Sequence, residues 1–374
     1  MQKKMIINNE NKNVRLNPVS EDSDFSVADT TFAKGLAILF LLFHHLFYLK
    51  PSLGLMLSTG KTLEFYIANV MKVCVAMFLL LSGYGIYEST KNKAINYFSF
   101  MKKNLVKIFM NYWFIWLLFV PFGFFIIGPN FLTKMYYINI SKNLLINLFG
   151  LQELLMTPSI ISAWWFISLI VAFYAVFPIL RFLISYSHIS AVSTLIISFV
   201  MSIHYNSLGL SFFNTSFLSM WLFSFVFGIF IAKYSLFSKL RADLNNNISS
   251  KVIKFILYML LLSGLIYQRM YGTTINGMLI DGILAFVIIM IGYEFISKIS
   301  FIKKVGINFG IHSFNIFLFH SFIYLRYFKK FTYSFNNPIV IFLVLLSICV
   351  VLSILIERLK KLIKFYEFQK YLLK

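Results

Sequence analysis

The chain has 374 residues, of which 59% are hydrophobic and only 13% are charged, and its mean hydropathy is +0.80. Soluble domains carry roughly 25% charged residues, so this composition excludes a water-soluble enzyme, and it is too apolar for a disordered chain. The 34 Lys and Arg residues outnumber the 13 Asp and Glu residues, which gives a net charge of +21. Between apolar segments, such an excess indicates membrane topology and attraction to anionic headgroups or phosphorylated ligands rather than nucleic-acid binding.

The hydropathy pattern predicts an all-α, multi-pass membrane protein with about ten transmembrane helices and short loops. Residues 1–31 are polar and contain no signal-peptide core, so they predict a flexible cytoplasmic tail. The run 144–157 is short and contains Glu153, which predicts an interfacial or re-entrant segment. The predicted spans are residues 32–49, 63–86, 105–128, 161–181, 189–206, 214–232, 252–269, 276–296, 309–325 and 338–356.

The distribution of cations predicts that both termini lie in the cytoplasm, because this orientation puts most of the 34 Lys and Arg residues in inner segments. Residues 32–356 are then the transmembrane domain, and residues 357–374 form a basic cytoplasmic tail. The expected location is a bacterial plasma membrane, and the lipid bilayer is the first expected partner. The sequence leaves the oligomeric state open.

The first predicted helix carries the most informative polar residues. Lys34 lies at its cytoplasmic end, and His45 follows eleven residues later in an apolar run. Both share one helical face, ~16 Å apart, while His44 points about 80° away. A cation at the membrane surface and an imidazole deeper inside suit an anionic ligand with a long thin arm, and a neutral imidazole can serve as a general base. An anchoring lysine and a hydrogen-bonded histidine explain the same spacing equally well.

Two further groups of candidates lie near the predicted inner face. Ser82, Gly83 and Tyr84 end the second apolar run, where glycine allows either close helix packing or approach of a ligand to the backbone. Packing alone is the simpler interpretation. Lys103 and Lys107 are four residues apart and share a helical face. They could bind a phosphate, although the topology rule alone also explains them.

Aromatic and polar residues in the second half of the chain complete the set of candidates. Trp164 and Trp165 are typical of an aromatic belt at the outer interface. Ser313 and His320 are seven residues apart and therefore share a helical face. Buried hydrogen bonds between helices would explain both without catalysis. Cysteine clusters and the motifs of zinc hydrolases or nucleotide-binding loops do not occur in the sequence, so it predicts no metal site.

Four of these motifs, in this order, resemble the acyltransferase-3 family of bacterial integral membrane acyltransferases over residues 28–356. The motifs are Lys34 with ten intervening residues before His45, the run 78–84, Trp165-Phe166 followed by Tyr174 and Pro178, and the run 310–320 that ends in His320.

The sequence departs from the family pattern at two places. Asn104 and Lys107, with Lys103 beside them, stand where the family often has two arginines, and a lysine is a point charge rather than a planar fork. The acidic residue that the middle motif carries in carbohydrate-modifying members is absent from the motif here.

The resemblance implies transfer of an acyl group, usually acetyl from acetyl-CoA, to a hydroxyl of a cell-surface carbohydrate or glycolipid. Acyl-CoA is then a donor substrate, with no permanently bound cofactor. The implied roles are donor binding for Lys34, Lys103, Lys107, Ser82, Gly83 and Tyr84, substrate binding for Trp165 and Tyr174, and catalysis for His45 with Ser313 or His320 as oxyanion donors.

Two alternatives stay open at this point. The histidine could instead form a covalent acyl intermediate. The chain could also be a polytopic transporter, flippase or polysaccharide polymerase that handles an anionic or lipid-linked glycan without CoA.

Overall fold

The computed structural model describes residues 25–48, 62–128, 130–133, 139–210, 213–242, 248–271 and 277–374. Their regular structure is helical apart from one isolated β-bridge, which confirms the all-α prediction. The helices are α1 (Val27–Phe47), α2 (Leu63–Met71), α3 (Cys74–Thr90), α4 (Tyr97–Ile127), α5 (Asn130–Thr133), α6 (Ile140–Leu148), α7 (Trp165–Tyr186), α8 (His188–Ile203), α9 (Thr215–Tyr234), α10 (Leu236–Ala242), α11 (Ile248–Tyr271), α12 (Gly277–Glu294), α13 (Ser300–Ser321), α14 (Lys329–Thr332), α15 (Pro338–Leu362) and α16 (Phe365–Leu372).

Eight stretches among the described residues are long and apolar enough to cross a membrane, so the chain is a multi-pass membrane protein. One of them, Leu63–Thr90, consists of α2 and α3 with a break between them. The two other predicted spans are helices as well. The 16 residues of α8 reach only ~24 Å, whereas α13 is long enough at ~33 Å but contains many polar residues.

The segment predicted to be interfacial or re-entrant does not cross the membrane. Helix α6 ends at Leu148 after nine residues, or ~13 Å. Gly150 then adopts a φ of 64°, and the chain folds back towards α7. The buried side chain of Asn147 holds this return, because its Nδ2 donates to Pro158 O at 2.8 Å and its Oδ1 accepts from Ile160 N at 3.0 Å. We call residues 149–161 the cap segment.

Both predicted tail boundaries differ from the structure. Helix α1 begins at Val27, where Ser26 and Asp29 form a reciprocal capping box, so the helix starts inside the range predicted as tail. At the other end, α15 continues to Leu362, and α16 packs against α4, with ring centroids of Phe365 and Phe114 5.4 Å apart. The range 357–374 is therefore helical and folded onto the bundle.

Contacts between helix ends define one end of the bundle. Lys303 Nζ lies 2.8 Å from Asp29 Oδ1, which joins the starts of α1 and α13. Arg181, near the end of α7, donates to Lys93 O at 2.9 Å, just beyond α3. Most cations of the described helices lie at this end. It corresponds to the predicted cytoplasmic face, and we call it the inner end; the orientation itself stays a prediction.

Near the inner end, α1 and α13 approach each other at the distance of backbone contact. A Cβ atom on Gly310 would lie 1.8 Å from Thr31 O, and one on Gly35 would lie 1.9 Å from Gly306 O. Only glycine fits at these positions. Small residues at such a crossing let two helices pack closely without a hydrophobic driving force, which the bilayer does not provide.

We expect Gly310→Ala to lower the free energy of unfolding by about 1–3 kcal/mol, because its methyl group must push α13 away from α1. Gly85→Ala is the matched control, since nothing lies within 4 Å of a Cβ atom there. Alanine at this helical position should be neutral or stabilising by up to about 1 kcal/mol. Thermal unfolding of both variants in detergent measures the difference. If Gly310→Ala were as stable as Gly85→Ala, the backbone contact between α1 and α13 would be wrong.

Candidate functional site

Beyond the glycine crossing, α1 and α13 each present a histidine to the other. His45 Nδ1 lies 3.0 Å from His320 Nε2, which is a hydrogen-bond distance. The ring centroids are 4.9 Å apart, and His320 is completely buried. Two residues that the sequence nominates separately are therefore one histidine pair.

The other contacts of His320 determine which ring nitrogens carry protons. His320 Nδ1 lies 3.0 Å from Ile316 O and 2.9 Å from Phe317 O, and carbonyl oxygens only accept. In a neutral ring, Nδ1 is then the donor and Nε2 the acceptor. His45 Nδ1 must donate to that acceptor, which leaves a lone pair on His45 Nε2. Within the part of the chain that the structure describes, this nitrogen has no hydrogen-bond partner.

Two neighbours complete the surroundings of the pair. Ser321 Oγ lies 3.1 Å from His320 Nε2, which is a hydrogen-bond distance. The sequence gives no spacing signal for Ser321, and it was missed. His44 Nδ1 lies 2.7 Å from Ala68 O of α2, so it donates away from the pair. His44 and His45 therefore face different helices, as the helical periodicity predicts.

A cavity of about 450 Å³ lies between α1, α3, α4, α7 and α13, on the inner side of the histidine pair. We call it the Lys34 cavity. Its far end is formed by Phe317, one helical turn before His320, whereas neither histidine lines it. Within it, Tyr174 forms a side-chain hydrogen bond with Ser82. Five residues nominated from the sequence line this one cavity: Lys34, Ser82, Lys107, Tyr174 and Ser313.

A second cavity of about 290 Å³ lies closer to the inner end and shares Lys107 with the first. Lys103 and Lys93 line it as well, so cations line both of these neighbouring cavities. Among the residues that the structure describes, Lys34 and Lys107 have no carboxylate within ion-pair distance. Unpaired ammonium groups along a cavity are suited to bind an anion.

The structure does not bring every nominated residue to these cavities. A Cβ atom on Gly83 would lie 2.2 Å from Phe225 O, so this glycine allows close packing of α3 on α9. Tyr84 packs edge-on against Phe25, with ring centroids 5.3 Å apart. Ser313 lines the Lys34 cavity, and its hydroxyl donates to Gly310 O at 2.7 Å. Because it precedes His320 by seven residues, it lies two turns of α13 away from the histidine pair.

The two tryptophans at the start of α7 have different surroundings. Trp164 is completely buried, and its Nε1 donates to Leu318 O of α13 at 2.9 Å, so its assignment to an interfacial belt is wrong. Trp165 is partly exposed and stacks on Trp221, with ring centroids 5.8 Å apart. Trp165 is the first residue of α7, so it lies at the end of this helix that is opposite the inner end, where Arg181 lies.

The cap segment supplies an acidic residue beside Trp165. Glu153 N donates to Ser168 Oγ at 3.3 Å, one helical turn from Trp165, and Glu153 Oε1 accepts from Asn214 Nδ2 at 3.3 Å. Partial burial raises the pKa of Glu153 above its ordinary value. The middle motif does not contain this carboxylate, because Glu153 lies twelve residues before Trp165 in the sequence. Folding of the cap segment onto α7 brings the two regions together.

The acyltransferase-3 family model, described as an acyltransferase domain, matches residues 28–358. The chain belongs to the acyltransferase-3 family. The matched range extends from α1 to α15 and therefore contains the histidine pair and the lining of both cavities. No curated protein and no solved structure matches the chain.

In this acyltransferase a buried charged network supports the wall of the Lys34 cavity. Lys360 is 1% exposed, and its Nζ donates to Asn111 Oδ1 at 2.7 Å, Asn315 Oδ1 at 2.9 Å and Glu357 Oε1 at 3.0 Å. Asn111 itself lines the cavity. The sequence did not reveal this network, because residues 357–374 look like a solvated basic tail.

Lys360→Ala should destabilise the acyltransferase by about 3–5 kcal/mol, because it leaves the buried partners of the ammonium group unsatisfied. The neighbouring Lys361 is exposed, so Lys361→Ala is the matched control and should change stability little. Thermal unfolding of the full chain in detergent compares the two. Similar unfolding temperatures would show that Lys360 has no buried ionic role.

Proposed function

We propose that this acyltransferase moves an acyl group, most simply acetyl, from acyl-CoA to a hydroxyl of a cell-envelope or extracellular carbohydrate in a bacterial plasma membrane. The observation that carries the proposal is the unpaired Nε2 of His45. It lies beyond the end of a cavity whose inner part holds unpaired ammonium groups. This arrangement supports a polyanionic donor with a long arm that ends at the base.

The donor is held at the inner end in this proposal. Lys103 and Lys107 attract the phosphates of CoA at the inner cavity, and Lys34 borders the deeper one. Ser82 and Tyr174 offer hydroxyl groups to the polar pantetheine arm. The thioester then lies near Phe317, within one helical turn of the histidine pair.

His45 acts as the general base. Its Nε2 takes the proton of the acceptor hydroxyl while that oxygen forms a bond to the thioester carbonyl carbon. The imidazolium that forms donates from Nδ1 to His320 Nε2, so the pair stabilises the positive charge. The tetrahedral intermediate then expels the CoA sulfur, which receives the proton from His45 Nε2. His320 is a positioning residue, comparable in role to the group that orients a catalytic histidine elsewhere.

The acceptor approaches from the opposite end, next to the cap segment. Glu153 and Asn214 offer a carboxylate and an amide for sugar hydroxyls, and Trp165 offers part of an aromatic ring. Donor and acceptor thus reach the pair from different sides, and only the acyl group has to pass between them.

His45→Gln should abolish acyl transfer, since removal of a general base costs about 10²–10⁴ in rate, while the protein still inserts into the membrane. His44→Gln is the matched control and should retain activity, because His44 faces α2. His320→Leu should lower kcat without raising the KM for acyl-CoA, and His320→Gln, whose amide oxygen can accept a hydrogen bond, should recover part of the loss. An active His45→Gln variant would refute the assignment.

Changing both Lys103 and Lys107 to Gln should raise the KM for acyl-CoA roughly tenfold with little change in kcat. The wild-type KM should itself rise with ionic strength, and that of the variant should rise less, because fewer phosphate contacts remain to be screened. Lys102→Gln is the matched control, since this exposed neighbour lines neither cavity. If CoA does not protect Lys103 from chemical labelling and the KM is unchanged, the CoA phosphates bind elsewhere and the assignment of these two lysines is wrong. A protein that shows no acyl transfer from acyl-CoA at all would instead favour a transporter-like function.

A further inference from the structure

Lys72 is a second cation of the membrane-spanning region, and neither donor nor acceptor binding explains it. It lies at the break between α2 and α3, within the span Leu63–Thr90 and one helical turn after Asn69, which contacts Arg269 in the last turn of α11. Among the residues that the structure describes, its ammonium group has no hydrogen-bond or ion-pair partner. A lone ammonium group in the hydrocarbon region is costly, so such residues usually face a partner or a ligand.

Among the described residues, the carboxylate that interacts with Lys72 is that of Asp281, and another cation already binds it. Arg269 of α11 donates from Nε and Nη2 to the two oxygens of Asp281, which is completely buried in α12. Arg269 Nη1 also donates to Asn69 Oδ1 of α2 at 3.1 Å. Lys72 is close enough to interact electrostatically with both Arg269 and Asp281. Two cations therefore share one carboxylate, and the cluster carries excess positive charge.

An apolar groove of about 560 Å³ lies directly beside this cluster, between α1, α2, α11 and α12. Met71 and Met270 line it, and they are the sequence neighbours of Lys72 and Arg269. From there the groove extends to Ile296 near the inner end, and the described side chains that line it are all apolar or aromatic. Ile67 on its wall is 38% exposed, and none of the apolar window of α11 is buried, so the groove opens towards the lipid.

We propose that this groove is a binding site for an anionic phospholipid of the bilayer, with one acyl chain in the groove and the headgroup phosphate near Lys72. The apolar wall matches a hydrocarbon chain, and the unpaired ammonium matches a phosphate. The site is separate from the reaction, because Leu36 lines the groove while Lys34 lines the donor cavity on the other side of α1. Its bound lipid fills the space that α11 leaves against α1 and α2.

The test uses the full chain and two lipids that differ in headgroup charge. Purified protein is titrated with phosphatidylglycerol or phosphatidylcholine, and bound lipid is counted by native mass spectrometry. We expect the wild type to prefer phosphatidylglycerol, and Lys72→Gln to reduce that preference roughly fivefold. Lys142→Gln removes an exposed lysine far from the groove and should leave the preference unchanged.

A second pair of variants tests the groove itself. Leu262 lines the groove, whereas its neighbour Leu261 is 47% exposed and does not line it. Leu262→Trp fills the groove and should lose both lipids, while Leu261→Trp should retain them. If Leu262→Trp does not purify as a single species, Ile266→Phe replaces it. Equal lipid retention by the two variants, or an unchanged headgroup preference in Lys72→Gln, would overturn the proposal. So would a lipid-linked glycan that displaces phosphatidylglycerol from the site.

Discussion

The close crossing of α1 and α13 is the constraint on which the candidate site depends. At Gly35, Gly306 and Gly310 the two helices touch backbone to backbone, and the ion pair between Asp29 and Lys303 joins their inner ends. Because both helices are rigid, the crossing fixes their separation further along. His45 and His320 therefore meet at 3.0 Å, in a geometry that leaves one nitrogen of His45 unpaired.

The polar residues inside this apolar bundle form layers along the direction of transfer. Lys103, Lys107 and Lys34 line the two cavities towards the inner end. The histidine pair lies beyond Phe317 at the far end of the Lys34 cavity, and Glu153 lies in the cap segment, next to the start of α7. Helix α1 contributes to two of these layers, with Lys34 near its start and His45 near its end. Outside these layers, Arg269 is paired with Asp281, whereas neither the ammonium group of Lys72 nor the carboxylate of Glu64 has an ion-pair partner among the described residues.

Hydropathy alone predicted the fold, because a segment that crosses a bilayer must be both long and apolar. Hydropathy did not predict which polar residues become buried by packing between helices. The residues after 356 look like a solvated tail, but Lys360 is buried by partners on α4 and α13 that no local pattern indicates. Periodicity correctly separated the faces of His44 and His45 within one helix. It could not pair His45 with His320, because 275 residues separate them, and it could not tell that Gly83 serves packing.

The central claim is that His45 offers a lone pair on Nε2 because its Nδ1 donates to His320. Solid-state NMR of the protein with ¹⁵N-labelled histidine in lipid bilayers tests this directly, with His45→Gln and His320→Gln variants used to assign the two rings. The account predicts that at neutral pH both rings carry their proton on Nδ1 and that Nε2 of each is unprotonated. A proton on Nε2 of His45, with an unprotonated Nδ1, would contradict it.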